Sequence, residues 1–128
     1  MKSRTTVMAL VLIGPLLVGA AHAQSVDEQI AQAVQPLPED LQAGATVLTY
    51  DAESGARKVL RQGSNHVECQ PKDETGTTRC WSTAAAARRD LSARLRAEGK
   101  SDEELESALT AATETGTIKP DAFGSMMY

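Results

Sequence analysis

Between positions 45 and 81 the chain reads ATVLTYD (45–51), RKVLR (57–61), NHVECQ (65–70) and TRCW (78–81). These four short runs are rich in β-branched and aromatic residues, the side chains that suit a pleated surface. Glu53-Ser54-Gly55 and Gln62-Gly63-Ser64 supply turn chemistry between the first three runs. A polar loop, 71–77, precedes the fourth. Consecutive strands joined by short loops pair antiparallel most easily, so the pattern predicts an antiparallel meander. Cys69 and Cys80, the two cysteines of the chain, fall in the third and fourth runs. A disulfide between them closes a short loop and staples the two strands, a constraint of about 3 kcal/mol in the chain-entropy picture.

Helical periodicity flanks this block. Ser25 and Glu28 form an S-x-x-E capping box at the start of a helix over 25–35, with Val26, Ile30, Ala33 and Val34 on one face. Pro36 and Pro38 stop it, and 39–43 add a short turn before Gly44. After the strands, 83–98 reads as a helix with Ser82 or Thr83 as N-cap and Gly99 just past its end. Its apolar stripe is Ala84, Ala87, Leu91 and Leu95, while Arg88, Arg89, Arg94 and Arg96 fall on the other faces. Ser101 and Glu104 form a second capping box, opening a helix with Leu105, Ala108, Leu109 and Ala112 on its buried face and Gly116 at its end. The expectation is an α+β fold: a small meander stapled by one disulfide, with a helical hairpin packed on it. Residues 24–44 are read as an N-terminal helix and linker, and 45–128 as the α+β domain. The apolar run 123–128 reads as a further strand, whose exposed edge offers a place for a protein partner.

The N-terminus reads as an export signal. Lys2 and Arg4 precede an uncharged, mostly apolar stretch, 7–21, and Ala21-His22-Ala23 is an A-x-A site that places cleavage between Ala23 and Gln24. The apolar stretch is shorter than the roughly 20 residues of a membrane span. A Sec-type route to the periplasm or the extracellular space follows. Removing the 23-residue leader from 128 leaves 105 residues, one small domain. Lys2 and Arg4 leave with it, so 11 basic residues face 17 acidic ones, a net charge of −6. That disfavours nucleic acid and anionic membranes, which both need a basic face. No second long apolar stretch follows, so no membrane span is expected after cleavage. Aromatic residues are few (Tyr50, Trp81, Phe123 and Tyr128), and a core resting on Val, Leu and Ala gains from a covalent staple.

Residues with chemical potential are sparse. His66 is the one histidine after the leader, with Ser64 the nearest nucleophile in sequence and Asp73 an acid able to orient it. Ser125 lacks the second glycine of a G-x-S-x-G elbow. Asp51-x-Glu53-x-Gly55 has the start of a calcium loop without its remainder, and reads as a hairpin turn. His66, Cys69 and Cys80, with Glu68 or Asp73 as a fourth ligand, are the alternative to the disulfide as a metal site. The residues assign no catalytic group and no cofactor. The reading is an exported, non-catalytic binding or interaction module of unknown role. The alternatives are a hydrolase-like periplasmic enzyme completed by residues beyond Tyr128, and a metal-binding protein.

Ala45-Thr46-Val47-Leu48, Val59-Leu60-Arg61-x-Gly63-Ser64-Asn65, Cys69-x-Pro71 and Cys80 resemble a family of uncharacterised bacterial exported proteins with a two-cysteine pattern. Glu98-Gly99-Lys100, the Glu104-Leu105 helix and Gly124-Ser125-Met126-x-Tyr128 carry the same resemblance. It implies no assigned activity and no catalytic residues. It also implies relatives that run on past Tyr128 into strand-like sequence, which makes this chain a C-terminally truncated member.

Overall fold

A computed structural model describes residues 23–120 together with Met127 and Tyr128. The stretch read as an export leader, up to His22, and the stretch 121–126 lie outside the described residues; Ala23 and Gln24, at the expected cleavage site, are exposed. In chain order the elements are α1 (Val26–Ala33), α2 (Glu39–Gln42), β1 (Thr46–Tyr50), β2 (Arg57–Arg61), β3 (Val67–Gln70) and β4 (Arg79–Ser82). A 3-10 turn (Thr83–Ala85) then leads into α3 (Ala86–Ala97) and α4 (Asp102–Glu114). Both capping boxes form, Ser25 with Glu28 and Ser101 with Glu104, each satisfying two orphan backbone N–H groups. Among the described residues no helix is long and apolar enough to cross a membrane.

The fold is α+β with a four-stranded sheet, and the order of the strands is β2-β1-β3-β4. β2 and β1 pair antiparallel, as do β3 and β4, but β1 and β3 are parallel. The expected meander is therefore corrected at one connection. After β2 the chain does not turn back onto β2; it steps across the start of β1 and lays β3 on the far side. The cause is at the crossing. The backbone N–H groups of Ser64 and Asn65 both donate to the Gly44 carbonyl, at 2.8 and 2.9 Å, and Gly63 N–H donates to Thr46 Oγ1 at 3.0 Å. Asn65 Nδ2 donates to the Leu41 carbonyl at 2.8 Å, while the Arg61 guanidinium caps the carbonyls of Gln42 and Ala45. Arg61, Gly63 and Asn65 thus clamp the 41–46 loop, and that clamp fixes the topology.

Pleating sends alternate side chains to opposite faces. On one face Val47, Val67, Cys69 and Cys80 meet Ala33, Val34 and Leu37, with Ile30 and Leu41 at the margin. The helix read as a separate N-terminal segment is thus part of the main core, with Ala33 fully buried. α3 covers the opposite face. Its other side meets α4 in a second apolar cluster of Leu105, Leu109 and Ile118, flanked by Leu91 and Leu95. The helical hairpin therefore has its own seam and docks on the sheet through a different set of groups.

Cys69 and Cys80 sit directly opposite each other on β3 and β4, both fully buried, and are joined by a disulfide. Cys80 exchanges backbone hydrogen bonds with Tyr128 on its outer side, and Met127 bridges Trp81, so the chain's last two residues lie along the β4 edge. The bond restrains the unfolded chain over a loop of sequence separation 11. Reduction is expected to cost about 3 kcal/mol. A domain of this size loses about 4–8 °C per kcal/mol, so dithiothreitol should lower the melting temperature by about 12 °C or more. Thermal unfolding with and without reductant measures it, and an unchanged midpoint would refute the staple.

Candidate functional site

The face under α3 carries charge. Tyr50 pairs with Arg57 across β1 and β2, and Glu68 with Trp81 across β3 and β4, so all four side chains project toward α3. Arg57 reaches over β1 and grips Glu68 with two nitrogens, at 2.6 and 3.2 Å. The same guanidinium donates to Asp90 of α3 through Nε and Nη2, the shortest contact being 2.8 Å. Tyr50 donates its hydroxyl to Asp90 Oδ1 at 2.7 Å. Arg89, one residue earlier on α3, donates to Glu68 at 3.2 Å and lies over the Trp81 ring, 3.7 Å from its centroid. Two cations and two anions thus dock the helix on the sheet. The side chains of Glu68 and Arg89 are only 9% and 12% exposed, whereas Asp90 is 43% exposed.

Burial sets the protonation states. It works against the charge on Arg57, yet the hydrogen bonds and negative charges of Glu68 and Asp90 win, holding that guanidinium more firmly protonated than usual. For Arg89 burial dominates and pushes its pKa down, with the neighbouring Tyr50 and Glu68 opposing only in part. Its Nη2 is buried without a hydrogen-bond acceptor. Burial, then the bond to Asp90, raises the Tyr50 phenol to about 12. A raised folded-state pKa favours the protonated fold, so this contribution is complete below the ordinary value near 10 and fades as pH rises through 12. Phenolate absorbance should therefore show one tyrosine ionising about two units late, at an unchanged fold. Tyr50→Phe should remove that late transition; an unshifted titration in the wild type would contradict the buried hydrogen bond.

Beside the cluster lies a groove of about 220 Å³, lined by Arg79, Arg89 and Arg96 with Tyr50, Gln70 and Trp81. Among the described residues no carboxylate lines it. Arg79 pairs at its rim with Asp73, at 2.9 Å, and both side chains are well exposed. A larger cleft, about 440 Å³, runs between Thr83–Arg88 and Gly116–Lys119, with three alanines, Ile118 and the two threonines among its lining residues.

The residues singled out in the sequence do not converge. His66 and Ser64 are exposed, and His66 takes part through its backbone carbonyl, which accepts from Thr83 N–H at 2.8 Å. Asp73 is occupied elsewhere: its Oδ1 accepts from Thr75 and Thr77 and its Oδ2 from Arg79, and the Thr75 hydroxyl leads the hydrogen bonds that hold its carboxyl below the usual range. The metal reading of His66, Cys69 and Cys80 is corrected, because both sulfurs are bonded to each other and offer no thiolate. Glu68, its other candidate ligand, is committed to Arg57 and Arg89. Asp51 accepts from Ser54 and Glu53 N–H and forms the hairpin turn expected for 51–55. Ser125 lies outside the described residues.

The Arg57–Glu68–Arg89–Asp90 set was not evident from the sequence. Alternation puts Glu68 on the face opposite the core residues Val67 and Cys69, and nothing in the sequence marks that face as covered, so the acid reads as solvent-facing. No known protein family, curated protein or solved structure matches this chain, so its function is argued from the site alone.

Proposed function

We propose that the protein acts outside the cytoplasm as a non-catalytic binding module. The observation that carries this reading is the mutual engagement of its converging polar groups. Arg57 spans Glu68 and Asp90, Tyr50 is committed to Asp90, and the phenol keeps its proton to about 12. Such groups hold a shape; they do not exchange protons at neutral pH, as general acid–base chemistry requires. The groove beside them presents guanidinium and aromatic surface, which is recognition chemistry. The A-x-A leader and the two cysteines support an exported protein, because disulfides persist where the environment is oxidising.

The test has two arms. Fractionation of the native host should recover a chain beginning at Gln24, with the mass of an oxidised cysteine pair. A broad panel of ester, amide, glycoside and phosphoester substrates should show no turnover above a boiled control. Turnover abolished by His66→Ala would overturn the reading, as would a cytosolic protein with residues 1–23 attached.

A further inference from the structure

The geometry points to the Arg79–Arg89–Arg96 groove as the binding site for a small oxyanion, a carboxylate or phosphate carried on a planar ring. This deepens the binding-module reading and rests on it. The placement of the arginines has a definite cause. Arg89 and Arg96 stand seven residues apart on α3, two helical turns, and so project from the same side of the helix. β4 brings Arg79 and Trp81 to the same face of the sheet, two residues apart. The groove between them collects three guanidinium groups in a chain whose acidic residues outnumber its basic ones.

The charge there is not cancelled locally. Glu68 is shared by Arg57 and Arg89, and Asp90 is held by Arg57 and Tyr50, so those two anions serve the docking of α3. Asp73 pairs with Arg79, a rim contact between well-exposed side chains that competes weakly with a ligand. Arg96 is exposed and has no carboxylate partner among the described residues. Arg89 is the fixed element, clamped over Trp81 with Nη2 buried and lacking an acceptor. A desolvated cation with incomplete pairing projects a stronger field than a solvated one. Planar guanidinium forks match the geometry of carboxylate and phosphate oxygens, and Tyr50 and Trp81 supply ring surface beside them. At about 220 Å³ the space is below the usual range for drug-sized ligands, which selects a small molecule.

Trp81 is the single tryptophan of the chain, so its fluorescence reports directly on the groove. Inorganic phosphate, phenyl phosphate and benzoate are the probes, titrated into the mature oxidised protein at low ionic strength. A saturable change is expected with phenyl phosphate or benzoate at about 1 mM or below, and a weaker one with phosphate alone. The tighter of the two aryl probes tells phosphate from carboxylate recognition. Arg79→Gln and Arg96→Gln should each weaken binding about tenfold, while Arg94→Gln should leave it unchanged. Arg79 and Arg96 are both exposed, so these variants should keep the wild-type melting temperature, which verifies folding. No saturation by any probe, or equal binding by Arg96→Gln and wild type, would overturn the site. Either result leaves the binding-module reading standing, whereas turnover of phenyl phosphate would sink that reading and keep the site.

Discussion

Gly63→Ala should be severely destabilising. A Cβ at position 63 meets the Gly44 carbonyl oxygen, the Ala45 carbonyl carbon and the Thr46 nitrogen, all closer than real Cβ atoms approach their neighbours. All three are backbone atoms, so no rotamer change relieves the clash. The loop cannot withdraw either, because Ser64, Asn65, Arg61 and Thr46 all hydrogen-bond across the same crossing. Relief requires pulling β3 away from β1, and that pairing is short: Thr46 opposite Glu68 and Val47 opposite Cys69. The expected loss is about 4 kcal/mol or more, the range reserved for backbone and core disruption, against a total of only about 5–15 kcal/mol for a typical domain. Urea titration followed by circular dichroism measures it. Gly76→Ala is the control, since a Cβ there meets nothing within 4 Å and only the positive φ of +79° opposes it. If Gly63→Ala costs no more than Gly76→Ala, the tight crossing is wrong.

The same crossing marks where the sequence stops being readable. Local features were legible because their energetics are local. Both capping boxes close within four residues, and their Ser and Glu spacing alone identifies them. The strand read over 57–61 has the bounds of β2, and the others agree within two residues at either end, since alternation and turn residues are nearest-neighbour properties. The disulfide was legible from the count of cysteines. The β1–β3 pairing was not, because whether a chain turns back or steps over depends on Gly63 lying against Gly44–Thr46, a contact between residues far apart in sequence. α3 illustrates a second limit. Leu91 and Leu95 give it an apolar stripe that packs on α4, and the arginines then read as a solvated surface. The helix has a second covered side, and an ionic contact surface leaves no hydrophobic period to detect. Arg89 shows 12% of its side chain to solvent, though its residue type and its place off the stripe both suggest exposure.

Glu68→Ala should be the most damaging substitution under α3. It leaves the guanidinium groups of Arg57 and Arg89 facing each other without their common carboxylate, in an interface where their side chains are 24% and 12% exposed. Removing one partner of a buried pair typically costs about 3–5 kcal/mol, most of it the stranded charge. Asp90→Ala should cost about 1 kcal/mol, because Asp90 is 43% exposed and Arg57 keeps Glu68. Chemical denaturation of both variants tests the ranking; equal costs would mean that water already screens Glu68. A third variant separates stability from purpose. Replacing Arg57, Glu68 and Arg89 together by Met, Leu and Met removes all three charges and keeps similar volume, and such swaps are often neutral or stabilising. This triple variant should therefore melt near the wild type while losing the Arg89–Trp81 stack and the oxyanion response of Trp81. An apolar interface would hold α3 to the sheet equally well. What it cannot do is fix a guanidinium at the edge of a groove, and recognition of an anion needs that charge held in place before the ligand arrives.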